Sequence, residues 1–398
     1  MGAAATWALS RTLPNPQRCL LLEQFEIGHT RGSSHGGSRI FRFTHAEVEE
    51  AALMPLMLES WRALEGDAGE SLLSLCGGLY IGNLEQDPYL QSCVASLNRL
   101  GMPFELWGPR ELAVHYPQFR LREGESALFQ PQSGVVAASP SVAAMVRVAQ
   151  ARGVGVRTGH RVTSVEPLSE GFAVHGETQA GERFSIRAER VILTAGPWAP
   201  AFLRALLPQW PPFPLEVTHQ QVAYYRAVEP SSWGVEAAPI FIFTADPHVY
   251  GFPIYERPGY IKVARELIGS TVDPDAERAP LQWATDELTA TVQSRLVGVE
   301  SEAVEVTPCL YTETPNRDFI IDRHPEHDGL IIAAGFSGRG FKFAAGMGEL
   351  LAGLAITDAA PATSPLWLPR WAIDRFAQPA ANGDGPQAEL FPRPSTNG

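Results

Sequence analysis

Apolar and polar positions divide the chain into segments of two kinds, with helical spacing in some and strand-like runs in others. Residues 2–9 read as the start of a helix of small residues, and 18–24 as a buried strand ending in Glu23. Leu13-Pro14-Asn15-Pro16 between them is a turn. Val48, Ala52, Leu56, Trp61 and Leu64 recur at helical spacing and predict a helix over 47–65. Residues 72–81 read as one strand with Gly77-Gly78 inside it, and 89–100 as a helix stopped by Gly101. A further helix is expected over 139–151, with Ser139 as N-cap and Pro140 in its first turn. Strands follow at 155–158 and 161–165, then a hairpin of 172–175 and 184–188 around Gly181. Residues 190–194 run apolar into Ala195-Gly196-Pro197-Trp198. The stretch 215–263 is β-rich, with strands at 222–225, 240–244, 249–252 and 260–263. A helix over 286–296, a buried strand over 329–335 and a small-residue helix over 343–354 complete the pattern. Beyond Arg375 the Pro, Gly and Asn content predicts a disordered tail.

The opening helix and strand match the helix-to-second-strand portion of a dinucleotide-binding βαβ unit. A full unit carries an apolar strand and G-x-G ahead of that helix; here only the last glycine, Gly2, precedes Ala3-Ala4-Ala5. The unit is therefore read as lacking its first strand, through either a late start codon or a shortened form. Cofactor-type and substrate-type segments alternate, which favours two discontinuous domains. Residues 1–46, 135–213 and 305–374 are expected to form a Rossmann-like α/β domain. Residues 47–134 and 214–304 are expected to form an α+β substrate domain on an antiparallel sheet, with 375–398 as the tail.

Composition narrows the function. The 398 residues are 45% hydrophobic, enough for a large core, and the net charge of −13 repels phosphate backbones and argues against a nucleic-acid partner. No apolar run approaches the roughly 20 residues that span a bilayer. Residues 1–9 are apolar but short and lack a basic leader, so a signal peptide is a poor reading. The ending Ser395-Thr396-Asn397-Gly398 is no peroxisomal address. Cys19, Cys76, Cys93 and Cys309 form neither a CxxC pair nor a zinc-spaced cluster. Reduced thiols in a cytoplasmic protein without a metal site are expected.

Candidate chemistry lies at four places. Glu23 ends a strand where this fold uses an acid to accept hydrogen bonds from a ribose. The segment 30–42 is rich in Gly and Ser, including Ser33 and Ser34, so that backbone N–H groups can approach a ligand. Its Arg39 and Arg42 offer fixed positive charge to a carboxylate or an electron-rich ring, although composition alone favours a solvated glycine loop with two surface arginines. Lys262 alternates with apolar neighbours in Gly259-Tyr260-Ile261-Lys262-Val263 and faces away from them. The fourth place is Cys309, whose thiolate would be a nucleophile.

Three segments, in order, resemble the monomeric sarcosine oxidase family, flavoenzymes of the D-amino acid oxidase type that include N-methyltryptophan and pipecolate oxidases. The first is the loop ending Ser33-Ser34-His35-Gly36-Gly37-Ser38-Arg39-Ile40-Phe41-Arg42, similar to Ser-x-His-Gly-x-(Ser/Thr)-Arg-x-x-Arg. The second is Pro308-Cys309-Leu310-Tyr311-Thr312-Glu313-Thr314-Pro315, continuing to Asp322. The third is Ala334-Gly335-Phe336-Ser337-Gly338-Arg339-Gly340-Phe341-Lys342-Phe343. The likeness runs from Gly2 to about Ala355.

This resemblance implies FAD bound covalently through Cys309, with Arg42 and Lys342 holding a substrate carboxylate. It implies that Lys262 supports reaction with oxygen, and that His35 and Arg39 serve the flavin face away from substrate. Gly335, Gly338, Gly340 and Phe341 would pass along the flavin, Gly196 and Trp198 would form a strand-end turn at the cofactor, and Val162 would meet the adenine. Tyr311 would line the amine pocket. Two departures fall in that pocket: His45 stands where relatives have tyrosine, and Glu266 where they have histidine. Glu266 either attracts a cationic amine or pairs with Arg265 and faces away. The reaction implied is oxidation of a secondary, N-methyl amino acid such as sarcosine by a monomer, with molecular oxygen as acceptor and hydrogen peroxide as product. Open alternatives are a cyclic or primary amino acid substrate, a dehydrogenase using another acceptor, and an inactive truncated form.

Overall fold

A computed structural model describes residues 1–211, 213–245, 247–266 and 270–377. Its helices are α1 (Gly2–Thr12), α2 (Val48–Ala68), α3 (Pro88–Leu100), α4 (Pro109–His115), α5 (Ala138–Ala151), α6 (Ala199–Leu206), α7 (Gln282–Arg295) and α8 (Ala344–Ile356). The strands, in order, are β1 (Leu20–Leu22), β2 (Ser38–Phe41), β3 (Leu73–Ser74), β4 (Gly78–Gly82), β5 (Glu105–Trp107), β6 (Ser126–Gln130), β7 (Gly134–Ala137), β8 (Gly155–Arg157), β9 (His160–Pro167) and β10 (Phe172–Thr178). They continue with β11 (Arg183–Ala188), β12 (Val191–Leu193), β13 (Glu216–Ala227), β14 (Ile240–Phe243), β15 (Val249–Phe252), β16 (Tyr260–Arg265), β17 (Val299–Glu313), β18 (Ile320–His324) and β19 (His327–Ala334). The mixed α/β architecture expected from the pattern is present.

An eight-stranded sheet in the order β17-β13-β16-β15-β14-β4-β6-β5 dominates, antiparallel except where β14 meets β4. Alternation gives it two distinct faces. Ala223, Tyr225, Phe241, Phe243, Val249, Ile261 and Val263 pack with Leu288 and Val292 of α7 into one core. On the opposite face Tyr224, Lys262 and Phe252 stand in one cross-strand row. Cys309 and Tyr311 share that face, opposite Gln220 and Thr218 of β13.

A second core gathers α1, α2, α5 and α8 with the indole of Trp7, whose Nε1 donates to Asp67 at 2.9 Å. Helix α1 crosses α8 closely: a Cβ at Gly348 would lie 2.4 Å from the Ala4 carbonyl oxygen. Parallel pairs β1–β8 and β12–β19 accompany these helices.

Four expectations are corrected. Residues 72–81 are two strands in two sheets, because Gly77 adopts φ +81 and turns the chain between β3 and β4. A side chain at Gly77 would strike the Phe129 ring at 2.5 Å. Ser139 is no N-cap: α5 begins one residue earlier, and the Ser139 hydroxyl donates to the Gly36 carbonyl at 2.8 Å. Strand β17 runs unbroken across the boundary expected at residue 305, so Cys309 and Tyr311 belong to the large sheet. Arg375 and Phe376 lie in an ordered turn, where Arg375 donates to the Asp318 and Phe319 carbonyls at 2.9 and 3.0 Å. From 378 onward the expected tail lies outside the described residues.

The α1–α8 crossing gives a matched test. Gly348→Ala gains about 1 kcal/mol of helix propensity but forces a clash whose relief costs about 1–3 kcal/mol, so it should lower the denaturation midpoint. Gly353→Ala in the same helix meets nothing within 4 Å and should hold or raise that midpoint, followed by circular dichroism.

Candidate active site

One cavity of about 1740 Å³ extends from the start of α1 to the inner face of the large sheet. Gly2, Glu23, Ser33, Ser34, His35, Arg39, Arg42, Val162, Gly196, Trp198, Lys262, Glu266, Cys309, Tyr311, Gly335, Gly338, Gly340, Phe341 and Lys342 all line it.

At the end near α1, Gly2 leaves no room for a side chain: a Cβ there would stand 2.8 Å from Thr194 Oγ1. Glu23 accepts from Phe25 N at 3.0 Å and lies 3.6 Å from His29 Nε2. Gly196 has φ +55 and starts the turn carrying Trp198, whose Nε1 donates to Asp275 at 3.0 Å.

The glycine- and serine-rich loop is held from within. Arg39 donates to the carbonyls of Ser33 at 3.0 Å, His35 at 2.6 Å and Ser38 at 2.8 Å, and its guanidinium lies 5.6 Å from the Phe341 ring. Its charge thus stays at the cavity wall while its hydrogen bonds shape the loop. His35 Nε2 is buried and has no hydrogen-bond partner among the described residues. Burial, reinforced by Arg39, brings the His35 imidazole down to about 4, so it is neutral at physiological pH.

On the sheet face, Lys262 pairs with Glu256 at 2.8 Å and donates to the Ser38 carbonyl at 3.1 Å. Burial lowers its ammonium to about 8, against the pull of Glu256 and with a further push from Arg39. Burial raises the Cys309 thiol, while Arg39 and Lys262 favour its thiolate. The Tyr311 hydroxyl meets that of Tyr250 at 3.1 Å, and its ring fills the space of a Gly338 side chain, 2.3 Å from an ideal Cβ.

Opposite lies a buried charge network. Arg42 Nη1 donates to the Tyr89 hydroxyl at 2.5 Å, and Lys342 Nζ to the Arg339 carbonyl at 2.7 Å. Arg339 grips Glu50 at 2.9 and 3.2 Å. Burial opposes ionisation of Glu50, yet Arg339, His45 and Arg370 outweigh it and hold this carboxyl well below the usual range.

Both pocket departures find other partners than expected. His45 does not reach the cavity wall. Its ring is 2% exposed, with Nδ1 on Glu50 at 3.0 Å and Nε2 on the Arg42 carbonyl at 3.2 Å. The pull of Glu50, in the first turn of α2, turns the imidazole behind the wall. Glu266 does line the cavity, but its partners are Arg317, in an ion pair, and the His248 Nδ1 at 3.0 Å. Arg265 pairs with Glu287 on α7, so the alternative in which it holds Glu266 fails.

Sequence reasoning missed Glu50, His248, Tyr250, Glu256 and Arg317. A signal for Tyr250 was available, since it alternates with Phe252 on β15 toward the cavity. Another signal lies in residue choice: of the 31 Lys and Arg residues only Lys262 and Lys342 are lysines, and both are buried in this cavity.

Such a cavity, joining a helix N-terminus to a wall of opposed cations and aromatics, defines a site for an extended, partly anionic cofactor and a small anion. The sequence model of the FAD dependent oxidoreductase family, DAO, matches residues 1–354, and the chain belongs to that family. The peroxisomal sarcosine oxidase of Homo sapiens is 34% identical over 84% of this chain and 85% of that protein. The monomeric sarcosine oxidase of Bacillus sp. (strain B-0618) is 30% identical over 90% of each. The solved structure of NikD, an unusual amino acid oxidase essential for nikkomycin biosynthesis, superposes in its open form with a TM-score of 0.77 at 24% identity, over 90% of this chain and 92% of that one. The residues present fit FAD: the cavity of about 1740 Å³ is lined from Gly2 at the start of α1 to Cys309 and Lys342, and the unpartnered His35 Nε2 stands ready for a polar group. Among the described residues no helix is long and apolar enough to cross a membrane, and no acidic, His or Cys cluster could hold a metal ion.

Breaking the Glu50 network gives the test of this wall. Glu50→Gln should cost about 3–5 kcal/mol at pH 7, because it leaves Arg339 charged, buried and unpaired. Glu50 has a folded pKa below its unfolded one, so its contribution is full above the unfolded value, about 4.5. It is lost as pH falls toward the folded value. Urea unfolding of both proteins at pH 7 and at lower pH should show the gap closing with acid.

Proposed function

We propose that this chain oxidises the CH–NH bond of a secondary, N-methyl amino acid such as sarcosine, as a cytoplasmic monomer with oxygen as acceptor. The observation that carries this reading is the half-buried guanidinium of Arg42 beside the buried amine of Lys342, in one cavity with Cys309 and Lys262. Two cations select an amino acid over a simple amine, because only the former brings a carboxylate. The names of the human and Bacillus relatives support sarcosine as the first substrate to try.

FAD, when bound, accepts a hydride equivalent from the carbon beside nitrogen. The α1 N-terminus, Glu23, Val162, Gly196 and Trp198 would hold its nucleotide end. Ser33, Ser34, His35 and Arg39 would face its ring, with Gly335, Gly338, Gly340 and Phe341 along the pyrimidine edge. Cys309, whose thiol is raised by burial against the opposing pull of Arg39 and Lys262, would form the thioether that fixes the ring in place. Arg42 and Lys342 orient the carboxylate, and the paired hydroxyls of Tyr250 and Tyr311 face the amine. His45 acts behind them, holding the Arg42 backbone and Glu50. Water hydrolyses the imine product to aldehyde and amino acid. Lys262 places a cation where negative charge develops on dioxygen as hydrogen peroxide forms.

Three measurements test this. Acid-precipitated holoprotein should give a yellow pellet, and Cys309→Ser a colourless one; a colourless wild-type pellet defeats covalent attachment. Under air, sarcosine should release peroxide and formaldehyde, whereas turnover of pipecolate without formaldehyde would move the substrate to a cyclic amino acid. Lys262→Met should slow reoxidation of the reduced flavin by oxygen by about 10²–10³ while anaerobic reduction by substrate stays within a few-fold.

A further inference from the structure

The two lysines are placed in opposite electrostatic settings. Lys262 has a carboxylate partner, Glu256, at 2.8 Å. The only hydrogen bond described for Lys342 Nζ is to a carbonyl oxygen, that of Arg339. Arg42, one residue past β2, and Arg339 from its own turn bring positive charge toward it. The acids that face it, Glu50 from α2 and Glu266 after β16, are already held by Arg339, Arg370 and His45, and by Arg317 and His248. Tyr89 and His45, the remaining titratable groups here, bond Arg42 and Glu50. A fully buried amine beside two guanidiniums and no free carboxylate is stable without its proton. The direction agrees: burial, then Arg42 and Arg339, hold Lys342 well below the ordinary lysine range. Arginine cannot give up its proton in this way, and arginine is what the chain uses everywhere else.

A secondary amino acid arrives as a zwitterion. Its ammonium nitrogen has no lone pair, and a C=N bond cannot form until one N–H proton leaves. We propose that Lys342 is an uncharged amine in the substrate-free cavity and takes up that proton once the substrate carboxylate stands against it and Arg42. One N–H bond breaks on the substrate and one forms at Nζ, with no electron gained or lost. The carboxylate supplies the negative charge that makes the new ammonium stable. In an α-amino acid the nitrogen is one carbon from the carboxylate, so direct contact or a single water spans the transfer. The proposal rests on the carboxylate site described above.

It makes a distinction between two ligands. Acetate brings no proton, so its binding must draw one from solvent and should weaken tenfold per pH unit above neutrality. A zwitterion brings its own, and its binding should be level over the same range. The chain is suited to a direct readout, because lysine labelled with ¹³C at Cε gives two side-chain resonances in the whole flavin-loaded protein, assigned with Lys262→Met. At pH 7.5 the Lys342 signal should sit at the neutral-amine position and move to the ammonium position with acetate, with about one proton taken up per site in weakly buffered indicator solution. Lys342→Arg, whose charge is fixed, should bind acetate without pH dependence. It should also oxidise sarcosine with kcat rising tenfold per pH unit below the substrate's amine pKa, where wild type is level. An ammonium signal for Lys342 in the free protein, or acetate binding without proton uptake, overturns the proposal. If acetate and sarcosine both leave the two resonances and the flavin spectrum unchanged at every pH, the carboxylate site itself falls, which is a separate outcome.

Discussion

The two-residue alternation of β15 and β16, and of β13 and β17 up to the irregularity at Tyr224 and Tyr225, is the constraint on which the site depends. A sheet that buries both faces must send its alternate side chains to two different environments. Here one set meets α7 and makes an apolar core, while the other set meets the cavity. Lys262 stands between Tyr224 and Phe252 because the register of three strands leaves it nowhere else to point. A slip by one residue would drive Lys262 into the core and put Ile261 or Val263 on the cavity wall. Cys309 and Tyr311 share the same dependence through the long β13–β17 ladder.

Opposite the sheet, position is set by charge rather than by pleat. Arg339 is withdrawn from water and Arg42 half withdrawn, and cations so placed need compensation. Glu50 supplies it and gathers Arg339, Arg370 and His45 around one carboxylate. The arrangement leaves Arg42, at the end where Lys342 lies, bonded to the Tyr89 hydroxyl and without an ion pair among the described residues. A bound carboxylate therefore completes a charge balance that the protein leaves open.

Much of this was legible in residue order, and the exceptions have physical reasons. Alternation exposed the strands around Lys262, and small residues exposed α1 and α8. The loop around Arg39 and the turn around Lys342 were placed by their resemblance to family motifs, since glycine content alone favoured a solvated loop for the first. The break at Gly77 was hidden because a left-handed glycine leaves the apolar run around it uninterrupted. The true role of His45 was hidden because its partner, Glu50, looks like any exposed acid in the first turn of a helix, yet is 1% exposed. For Glu266 a neighbour in sequence was the natural partner to consider. Adjacent residues on a strand point to opposite faces, so Arg265 was already committed to the α7 side.

The scarcity of lysine has a chemical consequence outside the site. Aldehydes and acylating agents seek primary amines, and the side chains of this protein's exterior offer none, since every outward cation is a guanidinium. An enzyme that releases formaldehyde would thereby be spared Schiff-base formation and cross-linking through lysine on its own surface. The lysine amines that such a product can meet are two, both within the chamber where it is made.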